Sequence, residues 1–192
     1  EDEDARMVLE GANALTIETS TPERFRWLKN SIIALDSVTD NFERYDILSC
    51  CSHIFPPEQI AKQKEVYDDT MANHGDEHQA LDAVIAFMDA DPGWGTTPVR
   101  EGNTLRIIKQ PANRPAYEKA ETHEERRRAY CFCPLIRDHL DDGISPTFCN
   151  CSSGWFRKQW EGATGKPVRV EIVRSLLKGH DACEFLVHIP ES

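Results

Sequence analysis

Two C-x-C pairs, Cys131-Phe132-Cys133 and Cys149-Asn150-Cys151, stand fifteen residues apart in the last third of this chain, and no other stretch narrows its fold as much. In an extended segment alternate side chains point to the same side, so each pair can present both sulfurs on one face and two pairs can converge on one point. Such a point can hold a metal, form disulfides or supply a reactive thiol. Pro134 pushes Cys133 toward extended backbone, which predicts a strand end for the first pair. After the second pair, Ser152-Ser153-Gly154 offers N-cap residues, and Trp155, Phe156, Gln159 and Trp160 share one helical face up to Gly162. The second pair is therefore expected just before a helix N-terminus, where backbone N–H groups and the helix dipole favour a thiolate.

Upstream, helical periodicity dominates. Ser20-Thr21-Pro22-Glu23 has the form of a capping box, and Phe25, Leu28, Ile32 and Leu35 follow at helical spacing. A shorter segment over 41–51 ends before Pro56-Pro57, which stops one helix and starts the next. Of the two helices expected there, the second is marked by Leu81, Val84, Ile85 and Met88, with Asp91-Pro92-Gly93 beyond its end. From Trp94 the texture changes: Thr97 to Arg100, a turn at Glu101-Gly102-Asn103, and Leu105 to Lys109 read as a hairpin. The segment 117–128 reads as one charged helix, with Glu121, Glu124 and Glu125 ahead of Arg126, Arg127 and Arg128. That run reads as a solvated face, or alternatively as an anion clamp beside the cysteines. Two alternating runs, 166–172 and 183–189, close the chain as half-buried strands, and Cys183 shares the inward face of Phe185, Val187 and Ile189. The expected fold class is α+β, N-terminal helices followed by an antiparallel sheet with packed helices. Residues 1–92 form its helical region and 93–192 its cysteine-containing α+β region, the two being allowed to make one continuous domain.

Charge and composition exclude several classes. The formal net charge is −11, from 33 acidic against 22 basic side chains, so neither nucleic acid nor an anionic membrane is an expected partner. No apolar run approaches the roughly 20 residues of a spanning helix, and Glu1-Asp2-Glu3-Asp4 is the opposite of a signal peptide's basic start, although a trimmed leader stays open. Seven cysteines, an odd number in C-x-C and C-C spacing, point to a reducing compartment, the cytoplasm. Cys50, Cys51 and His53 can join a metal site or serve as packing. His74 and His78 have ligand spacing, but Gly75 between them interrupts a helix, so solvated histidines at a helix start are expected.

The order of Trp160-Glu161-Gly162, Gly165-Lys166-Pro167-Val168, a strand, Gly179-His180-Asp181 and a Cys183-x-Phe185 strand resembles the end of the 4-vinyl reductase domain. That domain is a small-molecule-binding α+β module of tetrapyrrole enzymes and aromatic-sensing regulators, and the likeness spans roughly residues 145–189. More specifically, 130–137, 145–151, 154–162, the Cys50 region and Pro98 to Asn103 are similar to an uncharacterised prokaryotic family of cysteine-containing proteins, which implies no activity. In the aromatic sensors the resembling domain carries zinc on cysteines and a glutamate, and Cys183 matches the cysteine of its last strand. Ser175 and Leu176 stand where those sensors have a further cysteine, so a metal here would need the C-x-C pairs as its other ligands.

Two functional expectations follow. The first is a small-molecule-binding or sensing protein with a thiolate metal site of Cys131, Cys133, Cys149, Cys151 and Cys183, beside an apolar pocket of Phe132, Phe148, Trp155 and Trp160. Zinc suits a closed four-thiolate site, and iron–sulfur clusters or copper(I) also favour thiolates. The same aromatics read equally well as core. The alternative is a cysteine-dependent hydrolase or reductase: Cys149 or Cys151 is the nucleophile, Arg137 holds an anionic substrate, and His139 or His180 moves protons. The distant aminothiazoline-carboxylate hydrolases offer the analogy. A small-molecule ligand is the expected partner; a homodimer, or a purely structural role beside another protein, stays open. No phosphate loop, Ser-His-Asp arrangement or H-E-x-x-H pattern is present.

Overall fold

Capping and periodicity place most elements. The computed structural model describes residues 2–50, 56–91 and 96–191. Helices α1 (Asp2–Ala14), α2 (Thr21–Val38), α3 (Asn41–Cys50), α4 (Pro57–His74) and α5 (Glu77–Asp89) precede strands β1 (Val99–Glu101) and β2 (Thr104–Ile108). Helices α6 (Arg114–Lys119), α7 (His123–Tyr130) and α8 (Asn150–Thr164) follow, then β3 (Arg169–Arg174) and β4 (Glu184–His188). The fold is α+β, with helices ahead of a four-stranded antiparallel sheet. Among the described residues no helix is long and apolar enough to cross a membrane.

The chain divides into two compact units, both discontinuous in sequence. The first takes residues 1–48, 111–150 and 175–181; the second takes 49–110, 151–174 and 182–192. Each unit draws on both sides of residue 92.

The second unit holds the sheet, in the order β1-β2-β4-β3. Gly102, at φ 61°, makes the β1–β2 turn in a left-handed conformation that side chains disfavour. Register stacks Leu105 against Val187 and Val170, and Ile107 against Phe185 and Ile172, so one face of three strands is apolar by the two-residue period. Ala80, Leu81, Val84 and Met88 of α5 and Phe156 and Trp160 of α8 cover that face in one core. Gly162 of α8 lies against α4: a Cβ there would stand 2.3 Å from Ile60 Cγ2. At one end of β4 the buried Glu184 accepts from Arg106 Nε and Arg174 Nε, each at 2.5 Å. The hydrogen bond from Arg106, then that from Arg174, hold its carboxyl below the usual range against the opposing effect of desolvation.

The first unit is built on helices. In α2 the buried Phe25, Leu28 and Ile32 recur at the expected spacing. Glu23 accepts from the Ser20 N–H at 3.1 Å and the Ser20 hydroxyl at 2.6 Å, answering the capping pattern. Lys29 donates to the Asp142 carbonyl at 2.6 Å, and Thr147 donates to Asp36 at 2.8 Å, which fasten the 139–147 segment to α2.

Three local expectations need correction. The helix read over 117–128 is two helices, because the Thr122 side chain accepts from the Glu125 N–H while the Glu125 carboxylate accepts from the Thr122 and Glu121 N–H groups, restarting the chain at α7. The first C-x-C pair is on no strand: Cys131 terminates α7, its N–H donating to the Arg127 carbonyl at 3.1 Å, and turns follow from Pro134. The second pair is not extended, since Cys149 ends a short 3-10 turn (Pro146–Cys149) and Cys151 lies in the first turn of α8. Helical side chains two residues apart do not face each other, so the same-face argument does not apply to Cys149 and Cys151.

Candidate functional site

One wall of the site is helical. Glu124, Arg127 and Arg128 fall at i, i+3 and i+4 of α7, so all three lie on one face. The other wall is the turn that begins at Cys133. Its carbonyl accepts from the Arg137 N–H at 3.1 Å and the Ile136 N–H at 3.4 Å. Ile136 is buried, which directs Arg137 outward. The turn continues through His139, whose N–H donates to the Ile136 carbonyl at 2.8 Å. Between these walls is a cavity of about 250 Å³ within the first unit, also lined by Asp138, Leu140, Asp141 and Asp142.

Three side-chain pairs, each with a carboxylate, organise the lining. Arg127, 8% exposed, donates from Nη1 to both oxygens of Asp141 at 2.7 and 2.8 Å, and from Nη2 to the Leu176 carbonyl at 2.9 Å. Its Nε is buried without an acceptor among the described residues. Arg128 pairs with Asp138. His139 Nδ1 stands 2.7 Å from Asp142 Oδ2, and Phe25 stacks on its ring at 4.0 Å between centroids and 12° between planes. In the neutral ring that donates Nδ1–H to this carboxylate, Nε2 is the acceptor nitrogen. Arg137 and Glu124 are exposed and have no side-chain partner among the described residues.

Of the residues expected from sequence, this cavity gathers Arg137 and His139. His180 is not part of its lining; its Nδ1 stands 3.2 Å from the Ser175 carbonyl. Cys131 is buried, its Sγ 4.0 Å from the Cys133 carbonyl, and Cys133 is half-buried. Cys149 is half-buried at the end of its 3-10 turn. In the second unit Cys151 is half-buried in α8, and Cys183, also half-buried, packs against the core while its carbonyl accepts from the Lys109 N–H at 3.0 Å. Among the described residues no three His, Cys, Asp or Glu side chains are grouped to hold a metal ion, these five cysteines included.

The four aromatics expected to line an apolar pocket meet different surroundings. Phe132 is 55% exposed and Phe148 half-buried in the first unit. In the second, Trp160 is fully buried in the core and Trp155 packs against it. Cys50 is exposed at the end of α3, while Cys51, His53 and Trp94 lie outside the described residues. His74 ends α4 before Gly75, and His78 lies in the first turn of α5, so the two histidines are on separate helices.

Asp138, Asp141, Asp142 and Phe25 are the site residues that sequence reasoning does not assign, and Glu124, Arg127 and Arg128 enter it only within the charged run. The i, i+3, i+4 spacing on α7 and the His139-to-Asp142 spacing are visible in the chain; what hides them is that every position over 124–128 is charged. Of the arginines in that run Arg126 is outside the lining, and Arg127 and Arg128 are on it, each paired with a carboxylate. No protein-family model matches the chain, and no curated protein or solved structure matches it.

Proposed function

We propose that this chain is a small-molecule-binding or sensing protein that takes an anionic group of its ligand at Arg137. The observation that carries the reading is the Arg137 guanidinium. It lines a cavity of about 250 Å³ without a side-chain partner among the described residues, whereas Arg127, Arg128 and His139 beside it each have a carboxylate. A guanidinium presents a planar fork of donors that matches a carboxylate or phosphate, and it stays charged at any physiological pH. The satisfied neighbours hold the walls without competing for that fork.

Titrating ¹⁵N-labelled protein with sodium propionate, and separately with sodium phosphate, tests this through the backbone amides of 136–142. Saturable shifts that R137Q abolishes are expected. Titrations without shifts for both probes, or binding that R137Q leaves unchanged, overturn the reading.

The likeness to the 4-vinyl reductase module agrees with small-molecule binding and rests on the motifs alone. The odd number of cysteines supports a reducing compartment, the cytoplasm. Zinc on the C-x-C cysteines is a separate proposal, supported only by residue type. About one zinc per chain by elemental analysis, lost on C149S, would favour it, while metal-free protein of full stability in chelator would remove it.

A cysteine-dependent hydrolase or reductase is the second reading, favoured by His139, which Asp142 and Phe25 orient beside Arg137 with Nε2 left to move a proton. Fast single-site alkylation of Cys149 or Cys151 by iodoacetamide at neutral pH would support it. Uniformly slow alkylation of all the cysteines would count against it.

A further inference from the structure

Resting on the anion reading of the same cavity, we infer that the ligand is a zwitterion, a small amino acid or a related molecule carrying both a carboxylate and an ammonium. Charge accounting leads there. Every lining residue except Leu140 is ionisable, and six of them form the three pairs described above. Two remain, Arg137 and Glu124. They are opposite in sign, and neither pairs with the other or with any other side chain among the described residues. A ligand with only an anionic group would meet Arg137 and share the cavity with the Glu124 carboxylate, a repulsion that lowers affinity. An ammonium on the same molecule turns that repulsion into a second charge-assisted hydrogen bond.

Position supports this division of labour. Glu124 is fixed one turn ahead of Arg127 and Arg128 on α7, and Arg137 is fixed by the Cys133 turn. The two charges thus come from separate, independently anchored walls. Volume sets the scale, since drug-sized ligands occupy about 300–1,000 Å³ and this cavity, near 250 Å³, suits a smaller molecule. With Leu140 as its one apolar lining residue, the cavity gives little reward to a large hydrophobic side chain.

L-alanine and propionate differ by the α-ammonium alone, and they test the inference by isothermal titration or by the amide shifts of 136–142. L-alanine is expected to bind about tenfold more tightly than propionate, the size of one hydrogen bond between charged groups. E124Q should bring the two ligands toward equal affinity, weakening alanine and strengthening propionate, and R137Q should abolish both. Glu124 is exposed and has no side-chain partner among the described residues, so E124Q has little to disturb in the fold; the alanine-to-propionate ratio in the unsubstituted protein decides the matter without it. Equal binding of the two ligands there overturns the zwitterion and leaves the anion reading standing. Binding of neither removes both.

Discussion

Substituting Gly162 by alanine should destabilise the protein, and should stabilise it once Ile60 is shortened. The added Cβ would stand 2.3 Å from Ile60 Cγ2, 3.5 Å from Cδ1 and 3.6 Å from Cβ. The first distance is far inside van der Waals contact, and the atom approached is a methyl on a β-branched carbon with few rotamers to escape into. Overpacking of this kind costs about 1–3 kcal/mol, and so short a contact belongs in the upper half of that range. Against it stands the gain of up to about 1 kcal/mol for replacing glycine by alanine in a helix. The net expectation for G162A is a loss of about 1–2 kcal/mol. In an I60A background the obstructing methyls are gone and only the propensity gain remains, so the same substitution should add up to about 1 kcal/mol. The four proteins are compared by urea denaturation followed through tryptophan fluorescence, reading the midpoint at unchanged m-value. A G162A protein as stable as its parent, or the same sign in both backgrounds, would refute the close approach of α4 and α8.

Three further outcomes are expected. Gln63 is fully buried on α4 with neither amide atom hydrogen-bonded among the described residues, so Q63M should raise stability by about 1–3 kcal/mol, read as an increased Tm; a fall would mean the amide has a bound water or ligand to meet. T122A removes the acceptor for the Glu125 N–H and should cost about 1 kcal/mol in chemical denaturation, with weakened ligand binding because α7 forms one wall of the cavity. The Glu184 carboxyl is held below its ordinary value of 4.5, mainly by Arg106, so its contribution is present above that value and lost as pH falls through the lower folded-state value. The Tm difference between E184Q and its parent should therefore be constant near neutrality and shrink only below about pH 4.5, the ordinary value of this carboxyl.

The fold is legible where periodicity and capping agree. Leu81, Val84 and Met88 mark α5, Ser20 and Glu23 mark α2, and the alternation from Cys183 to Ile189 marks β4, because in each case one face must leave water. The Thr122-to-Glu125 capping box is equally visible, but a charged run without an apolar stripe offers no period to divide. The C-x-C pairs mislead for a different reason. The same-face rule holds only in extended backbone, and whether Cys149 to Cys151 is extended depends on where α8 begins, which the Ser152-Ser153-Gly154 caps place too late. Arg137 and His139 stand out by residue type alone. Their neighbours Glu124 and Arg127 come from a helix whose distance from them depends on tertiary structure, and no local pattern records it.

The division into two units carries a consequence for synthesis. The chain changes unit at 48/49, 110/111, 150/151, 174/175 and 181/182. A ribosome releasing residues in order cannot finish either unit early: the helical one awaits 175–181, and the sheet awaits β4, which pairs with β2 from some eighty positions earlier. One of the two inner strands of the sheet is thus the last strand to emerge, and β2 and β3 wait with unpaired edges until it does. No single cut can liberate a complete half of this protein, and truncating the final dozen residues removes the strand on which both neighbours depend.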